Sequence, residues 1–268
     1  MKERVDILAT NQGLFESREQ AKRGIMSGIV VDAKTGNRFD KAGEKIDDAT
    51  ELRLKGEKLK YVSRGGLKLE KALKEFNISV ENKNCLDIGA STGGFSDLML
   101  QSGAKHVYAL DVGTNQLAWK IRNDARVTVM EQFNFRNAKL EDFTNGQPEF
   151  ASIDVSFISL SLILPALFEI LIENGEVVAL IKPQFEAGRE QVGKNGIIKD
   201  STVHKQVIEK VLKIAEEIGF SIKNLTFSPI KGGAGNVEFL VHLAKYKELK
   251  SEKIEINKVL TTEKEQLN

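Results

Sequence analysis

The chain has 268 residues and a mass of 29.8 kDa, with 41% hydrophobic residues, enough for one large domain or a large and a small one with a sizeable core. Its 39 basic and 38 acidic residues leave a formal charge of +1, so the overall balance says nothing about partners. The single Cys85 excludes an internal disulfide and any two-thiol mechanism, and it fits a reducing cytosol.

"MKERVDILATNQG" lacks an apolar h-region, so no secretory signal is expected. The most apolar stretch, Val155 to Phe168, is broken by Pro165 and is shorter than the roughly 20 residues a membrane span needs. The expectation is a soluble, cytoplasmic protein without a membrane partner.

Residues 1–60 read as a small α+β unit. "RVDILATNQGLFESREQAKRGIMSG" predicts two short helices split by Gly13, the second capped by Ser17 and carrying Ala21, Ile25 and Met26 at helical spacing. "IVVD", "NRFD" and "ELRLK" predict short strands joined by Gly and Asp turns. Between Arg53 and Lys74 stand eight basic residues against Glu57 and Glu70, a local charge of +6. The first part reads as a linker and the second as a helix capped at Ser63. A solvated helical face would produce such a run, but so large an excess in a near-neutral chain favours a surface facing a polyanion. Lys58, Lys60 and Arg64 are its candidate contacts.

From Cys85 the pattern alternates. "NCLDIG", "HVYALDVG", "RVTVMEQ", "FASIDVSF" and "GEVVALIKP" predict strands, and "GGFSDLMLQSG", "LSLILPALFEIL" and "KDSTVHKQVIEKVLKIAEEIG" predict helices. Strands alternating with helices imply an α/β domain over residues 61–245, with a parallel sheet covered by helices. "IKNLTFSPI" and "VEFLVHLAK", joined by "KGGAGN", predict an antiparallel hairpin on its edge. The charged tail, 246–268, is expected to fray.

"LDIGASTGGFSDLML", Leu86 to Leu100, turns from strand to helix through Gly89, Gly93 and Gly94. A triphosphate loop needs a Lys after the last glycine, and Phe95 stands there. A dinucleotide turn needs a second glycine where this chain has Ser91. A ligand without phosphate tolerates the looser turn, and S-adenosylmethionine (SAM) is such a ligand. Asp87, inside the preceding strand, can face the turn amides or the ligand's ammonium. Asp111, followed by Val112 at the end of the next strand, stands where a carboxylate accepts ribose hydroxyls. Either acid alone could be a helix or turn cap.

Methyl transfer asks for positioning, desolvation and an activated nucleophile. A covalent pyrimidine adduct needs a thiol near the substrate, and Cys85 lies on the wrong side of the ligand. Where amino methyltransferases often carry an Asn/Asp-Pro-Pro-aromatic loop, this chain has "DVSF", Asp154 to Phe157. Lysines and carboxylates remain. Asp154 ends one strand and Lys182 the next; Lys68 begins the basic helix, and Glu238 lies on the last strand. Lys182 closes an apolar strand, where a lysine is desolvated unless paired. A desolvated lysine beside other cations has a lowered pKa and can take a proton or steady an oxyanion, which suits a ribose 2′-hydroxyl. Asp154 would orient Lys182, Lys68 would hold the hydroxyl or an adjacent phosphate, and Glu238 would balance Lys68.

"SRGGLKLEKAL", "LDIGASTGGFSDLML", "ALDVGTNQL", "IDVSF", "LIKPQFE" and "SPIKGGAGNVEFL" together resemble the TlyA proteins, which join an S4-type RNA-binding domain to an FtsJ-like methyltransferase. "LFESREQAKRGIMSGIVVD" is similar to the S4 outline, although "RVDILAT" has Val where Leu is usual. The resemblance covers residues 1 to 245. It implies a Rossmann-like methyltransferase sheet with an antiparallel edge hairpin, plus a small α+β S4-type domain. It further implies SAM-dependent 2′-O-methylation of cytidines in ribosomal RNA, with Lys68, Asp154, Lys182 and Glu238 as the catalytic tetrad. Arg18, Lys22 and Arg23 would contact RNA backbone, and Asn134 in "FNFRN" is similar to a position near the adenine, or serves as a simple turn residue. No metal is implied. Trp119 is expected in the core. Two alternatives stay open: a non-catalytic RNA-binding or ribosome assembly factor, and a membrane-active protein, since family members also carry the name haemolysin.

Overall fold

The structure, a computed structural model, describes residues 2–15, 17–55 and 60–267, and the chain divides into two units, Met1–Leu59 and Lys60–Asn268.

The first unit runs β1 (Lys2–Arg4), α1 (Val5–Asn11), α2 (Arg18–Met26), β2 (Val30–Asp32), β3 (Lys45–Asp47) and β4 (Leu52–Leu54). Ser17 caps α2 by accepting from Gln20 N, as its sequence position predicts. Two antiparallel ladders form, β1 with β3 and β2 with β4. "NRFD" is not a strand: it contributes only an isolated bridge between Val31 and Arg38. Val5, Ala9, Ala21, Ile25 and Val30 make the small core. Beside it Asp6, fully buried, is held well below the usual carboxylate range, to about 2, by hydrogen bonds from Arg4 and Arg18.

The second unit contains α3 (Gly66–Glu75), β5 (Asn84–Ile88), α4 (Gly94–Gln101), β6 (His106–Leu110), α5 (Trp119–Arg122), β7 (Val127–Met130), β8 (Phe150–Ile153), α6 (Leu164–Ile170) and β9 (Glu176–Ile181). After these come α7 (Pro183–Glu186), α8 (Ser201–Ile218), β10 (Phe220–Phe227), β11 (Phe239–Lys245) and α9 (Ile256–Leu267). One sheet runs in the order β10-β11-β9-β8-β5-β6-β7. The five strands from β9 to β7 are parallel, while β11 pairs antiparallel with both β9 and β10. This is a doubly wound, Rossmann-like sheet with an antiparallel edge. β5 is buried at every position, as a central parallel strand covered on both faces must be. Two apolar clusters flank the sheet, one including side chains of α3, α4 and α5, the other including those of α6, α8 and α9.

Three expectations are corrected here. α3 starts at Gly66 behind Gly65, which offers no side-chain cap, so Ser63 does not cap it. Trp119 is 76% exposed, because the single turn of α5 points Ile121 inward instead. The tail does not fray. Its helix α9 buries Leu260 against the cluster that holds α8, and the preceding segment runs along the edge strand, with Glu252 N donating to Ile222 O at 2.7 Å. That contact occupies a strand edge otherwise open to pairing. No helix among the described residues is long and apolar enough to cross a membrane.

Leu260→Ala should cost about 2–4 kcal/mol of stability, read as a lower urea midpoint by circular dichroism. An unchanged midpoint would mean that α9 is not packed.

Candidate active site

β5 and β8 are neighbours, yet the chain leaves them toward opposite faces of the sheet: Phe95 and Leu98 after β5 join one apolar cluster, Leu160 and Leu164 after β8 the other. Such a divergence opens a crevice at the carboxyl ends of the strands. Two cavities lie there. One, of about 320 Å³, lies against the ends of β5 and β6 and is lined by Ile88, Leu110, Asp111, Val112, Asn134, Phe135 and Ile163 among others. The second, of about 540 Å³, has Ser63, Lys68, Gly94, Phe95, Lys182, Gln184 and Glu238 in its wall. Gly89, Ser91, Asp154, Ser156 and Phe157 line both.

The glycine turn is shaped by what it presses against. Gly89 has φ +87°, and a Cβ there would stand 2.5 Å from Asp154 O. A side chain at Gly94 would collide with Ser63 Oγ and come within 2.9 Å of Gly66 N. Gly93 is the left-handed residue that caps the start of α4, and it lines neither cavity. Asp87 does not face a ligand either. It is wholly buried beneath the turn, accepting from Ser96 Oγ at 2.6 Å and Ser152 Oγ at 3.2 Å. Because strand residues alternate faces, Asp87 points toward α4, and its role is to pin that helix. Burial pushes its carboxyl up to about 7, against the pull of both serines.

Asp111 lines the smaller cavity with each oxygen already engaged, Oδ2 by Ser91 N and Oδ1 by Gly113 N, both at 2.8 Å. Each carboxylate oxygen keeps a further lone pair for a hydroxyl. Asn134 has the turn role expected of it, its Oδ1 accepting from Arg136 N, and it also borders the cavity. An apolar slot with a fixed acid at its rim fits an adenosine. Asp111, Val112, Asn134, Gly89 and Ser91 are the residues that would hold SAM.

The four residues of the tetrad meet. Lys68 Nζ lies 2.6 Å from Glu238 Oε2 and 3.4 Å from Asp154 Oδ2. Lys182 Nζ lies 2.6 Å from Asp154 Oδ1, an ion pair whose angle falls short of a hydrogen bond, and donates to Ser156 Oγ at 3.0 Å. Lys182 is therefore a paired cation. Burial, the largest influence on Lys68, disfavours its charge, but the carboxylates of Asp154 and Glu238 outweigh it and its pKa is raised. Cys85 offers no competing nucleophile, since burial pushes its thiol up to about 12.

The candidate RNA contacts divide into engaged and available groups. Arg18 is tied to Asp6 at 2.9 Å, Lys22 to Glu19 at 2.6 Å, and Lys60 to Glu70. Arg23 and Arg64 are exposed and form no salt bridge among the described residues, although Arg23 acts electrostatically on the nearby Glu19. Lys58 lies outside the described residues.

Several wall residues were not singled out from the sequence. Phe157 is 90% exposed and holds φ +64°, a left-handed conformation costly for an aromatic residue. Its ring centroid lies 4.9 Å from that of Phe185. The signal was present in "DVSF" and "KPQFE", which place an aromatic three residues beyond each tetrad member, Asp154 and Lys182.

A donor slot and a charged acceptor cavity joined at Asp154 on a doubly wound sheet define a SAM-dependent methyltransferase. The family model described as FtsJ-like methyltransferase matches residues 61–245. The chain is 60% identical to YqxC of Bacillus subtilis, a protein named as an rRNA methyltransferase, over 90% of this chain and 85% of that one. It is 40% identical to the 16S/23S rRNA (cytidine-2′-O)-methyltransferase TlyA of Mycobacterium tuberculosis, over 90% and 89%. The solved structure of a hemolysin-named protein from Streptococcus thermophilus superposes with a TM-score of 0.79 at 63% identity, covering 99% of this chain and 97% of that one. The chain belongs to the TlyA family of FtsJ-like methyltransferases, and SAM is its cofactor.

Between about pH 4 and pH 7 the folded chain keeps the Asp87 proton that the unfolded chain releases, so this group's contribution to stability falls as pH rises. Asp87→Asn removes that slope. Relative to the wild type it should gain stability from about pH 5 to about pH 8, measured by urea denaturation at both; a constant difference would count against the assignment.

Proposed function

We propose that this chain transfers a methyl group from SAM to the ribose 2′-hydroxyl of a cytidine in ribosomal RNA, as the name of its mycobacterial relative describes for that protein. The observation that carries the reading is the Lys68–Asp154–Lys182–Glu238 cluster, set in the wall of the larger cavity at its junction with the smaller. Bound SAM supplies an electrophilic methyl carbon next to a sulfonium. Everything else is done by the chain. Lys68, kept protonated by its two carboxylates, donates to the acceptor oxygen or to a neighbouring phosphate. The Asp154 carboxylate, held in place by Lys182, receives the proton that the hydroxyl loses as its oxygen is methylated. Glu238, beneath Lys68, compensates its charge and keeps it in place. The exposed ring of Phe157 at the rim gives a flat face for the base of the target nucleotide.

The first unit serves, on this reading, as an S4-type RNA-binding domain. Arg23, with Lys22 and Arg18 once their local partners are exchanged for phosphate, would supply backbone contacts, and Arg64 and Lys60 would add to them. These contacts would place the catalytic unit on a ribosomal subunit, in the cytoplasm. Lys58 is proposed with them on sequence grounds alone.

The test is to incubate ribosomal subunits, from cells lacking the protein, with tritiated SAM and map the label. Label should appear at a cytidine 2′-oxygen. Lys182→Ala should lower the rate by about 10²–10⁴-fold while SAM and RNA binding persist. Folded wild-type protein that binds RNA yet leaves every subunit unlabelled would instead make it an assembly factor. Separately, Arg23→Ala and Arg64→Ala should each weaken subunit binding and reduce the slope of log affinity against log salt by about one counterion or less; slopes equal to the wild type would remove both residues from the interface.

A further inference from the structure

The segment that leaves β8 presents two polar side chains to Lys182. Asp154 and Ser156, two residues apart, both line the smaller and the larger cavity, while Val155 between them packs against the apolar cluster beside the sheet. Lys182 Nζ arrives from the end of β9, 2.6 Å from Asp154 Oδ1 and 3.0 Å from Ser156 Oγ.

The two lysines of the tetrad are held in different ways. Lys68 donates hydrogen bonds to two carboxylates, Glu238 Oε2 at 2.6 Å and Asp154 Oδ2 at 3.4 Å. Lys182, with a side chain only 9% exposed, has an ion pair off the hydrogen-bonding angle and, among the described residues, one hydrogen bond, to the neutral Ser156 hydroxyl. Coulomb attraction holds a charge near its partner with little regard to angle, whereas a hydrogen bond sets a direction. Asp154 therefore sets how close the ammonium comes, and Ser156 sets where it points.

The difference matters when charge moves. On the reading above, Asp154 takes the proton that the 2′-hydroxyl gives up, and a neutral carboxyl no longer attracts an ammonium by charge. A buried ammonium that loses its counter-ion is costly to keep in place. The bond to Ser156 does not depend on the charge of Asp154, so it persists through the step.

We propose that Ser156 is a positioning residue for methyl transfer: its Oγ accepts from Lys182 and keeps that ammonium set against Asp154 before and after the carboxylate takes the proton. This rests on the proposed methylation of a 2′-hydroxyl. No bond is made or broken at Ser156. The methyl group passes from sulfur to the ribose oxygen, and the proton from that oxygen to Asp154.

The test measures methyl transfer from tritiated SAM to ribosomal subunits from cells lacking the protein. Full-length wild type, Ser156→Ala, Ser156→Thr, Lys182→Ala and the Ser156→Ala/Lys182→Ala double variant are compared. Ser156→Ala should lower kcat about tenfold, the loss expected for one hydrogen bond to a charged group, with KM for subunits and affinity for SAM unchanged. Ser156→Thr, which keeps the hydroxyl, should recover most of that loss. In the Lys182→Ala background Ser156→Ala should lower the rate no further, because the group it holds is gone. Melting temperatures equal to the wild type establish folding; should Ser156→Ala melt early, Ser156→Cys, which keeps the bulk but accepts weakly, takes its place. If the two substitutions multiply, Ser156 acts independently of Lys182 and the proposal falls. It falls too if the loss lies in KM or SAM affinity, which would make Ser156 a ligand contact, or if Ser156→Ala keeps the wild-type rate. A wild type that methylates no RNA overturns the functional reading itself, a result distinct from all of these.

Discussion

Asp154 stands between two ammonium groups, and the catalytic rim is organised around it. A carboxylate and two lysines this little exposed are tolerated only because each has a partner: Lys182 and Lys68 share Asp154, and Glu238 completes Lys68. The four come from α3, from the ends of β8 and β9, and from the approach to β11. The reversal of β11 is what makes this possible. Its antiparallel pairing with β9 brings its first residues to the rim where the parallel strands end, so Phe239 lies opposite Ile181 and the adjacent Glu238 faces the lysines. A parallel β11 would begin at the opposite rim and leave Lys68 with Asp154 alone.

The same aspartate joins the two halves of the reaction. Gly89, the hinge of the donor turn, approaches Asp154 O so closely that no side chain fits between them. Across the turn, Val62 N donates to Asp97 Oδ2 at 2.9 Å, which fastens the segment just before α3 onto α4. The donor turn, the acid and the lysine-bearing helix are thus set against one another by backbone contacts, and little rearrangement remains for the moment of transfer. Preorganised charge in a partly closed cavity is the largest single contribution a protein can make to such a displacement.

Much of this was legible because strand-end residues in an alternating α/β chain share one rim. Asp111, Asp154 and Lys182 could be placed together from that rule alone, Glu238 from the antiparallel hairpin that reverses the last strand, and Lys68 from the basic helix that precedes the sheet. What stayed hidden depended on facts the linear pattern does not carry. Asp87 seemed a ligand residue because it precedes the glycine turn, yet its face was decided by Ser96 and Ser152, which come from α4 and β8. α9 is rich in charge and has few apolar residues, so its packing against α8 and β10 left only a faint trace. β1 and β3 are three residues each and exist through their pairing with one another. Phe157 adopts a conformation that no propensity favours, and its neighbour Phe185 arrives from α7, beyond the end of β9.

The charge arithmetic of the site separates binding from chemistry. Two lysines and two carboxylates sum to zero, so the tetrad itself offers a polyanion no net attraction, and at physiological salt little of its field extends beyond about 8 Å. On the proposed reading, attraction has to come from cations elsewhere, such as Arg23 and Arg64, which form no salt bridge among the described residues. Those contacts act on encounter and affinity, where salt competes with them. The tetrad acts after the nucleotide has entered a cavity that water and ions leave, where a hydrogen bond from Lys68 is strengthened by the low dielectric around it. On the proposed reading, a catalytic cluster of zero formal charge leaves the hold on RNA to exposed cations elsewhere on the chain and reserves its own charges for the site of methyl transfer.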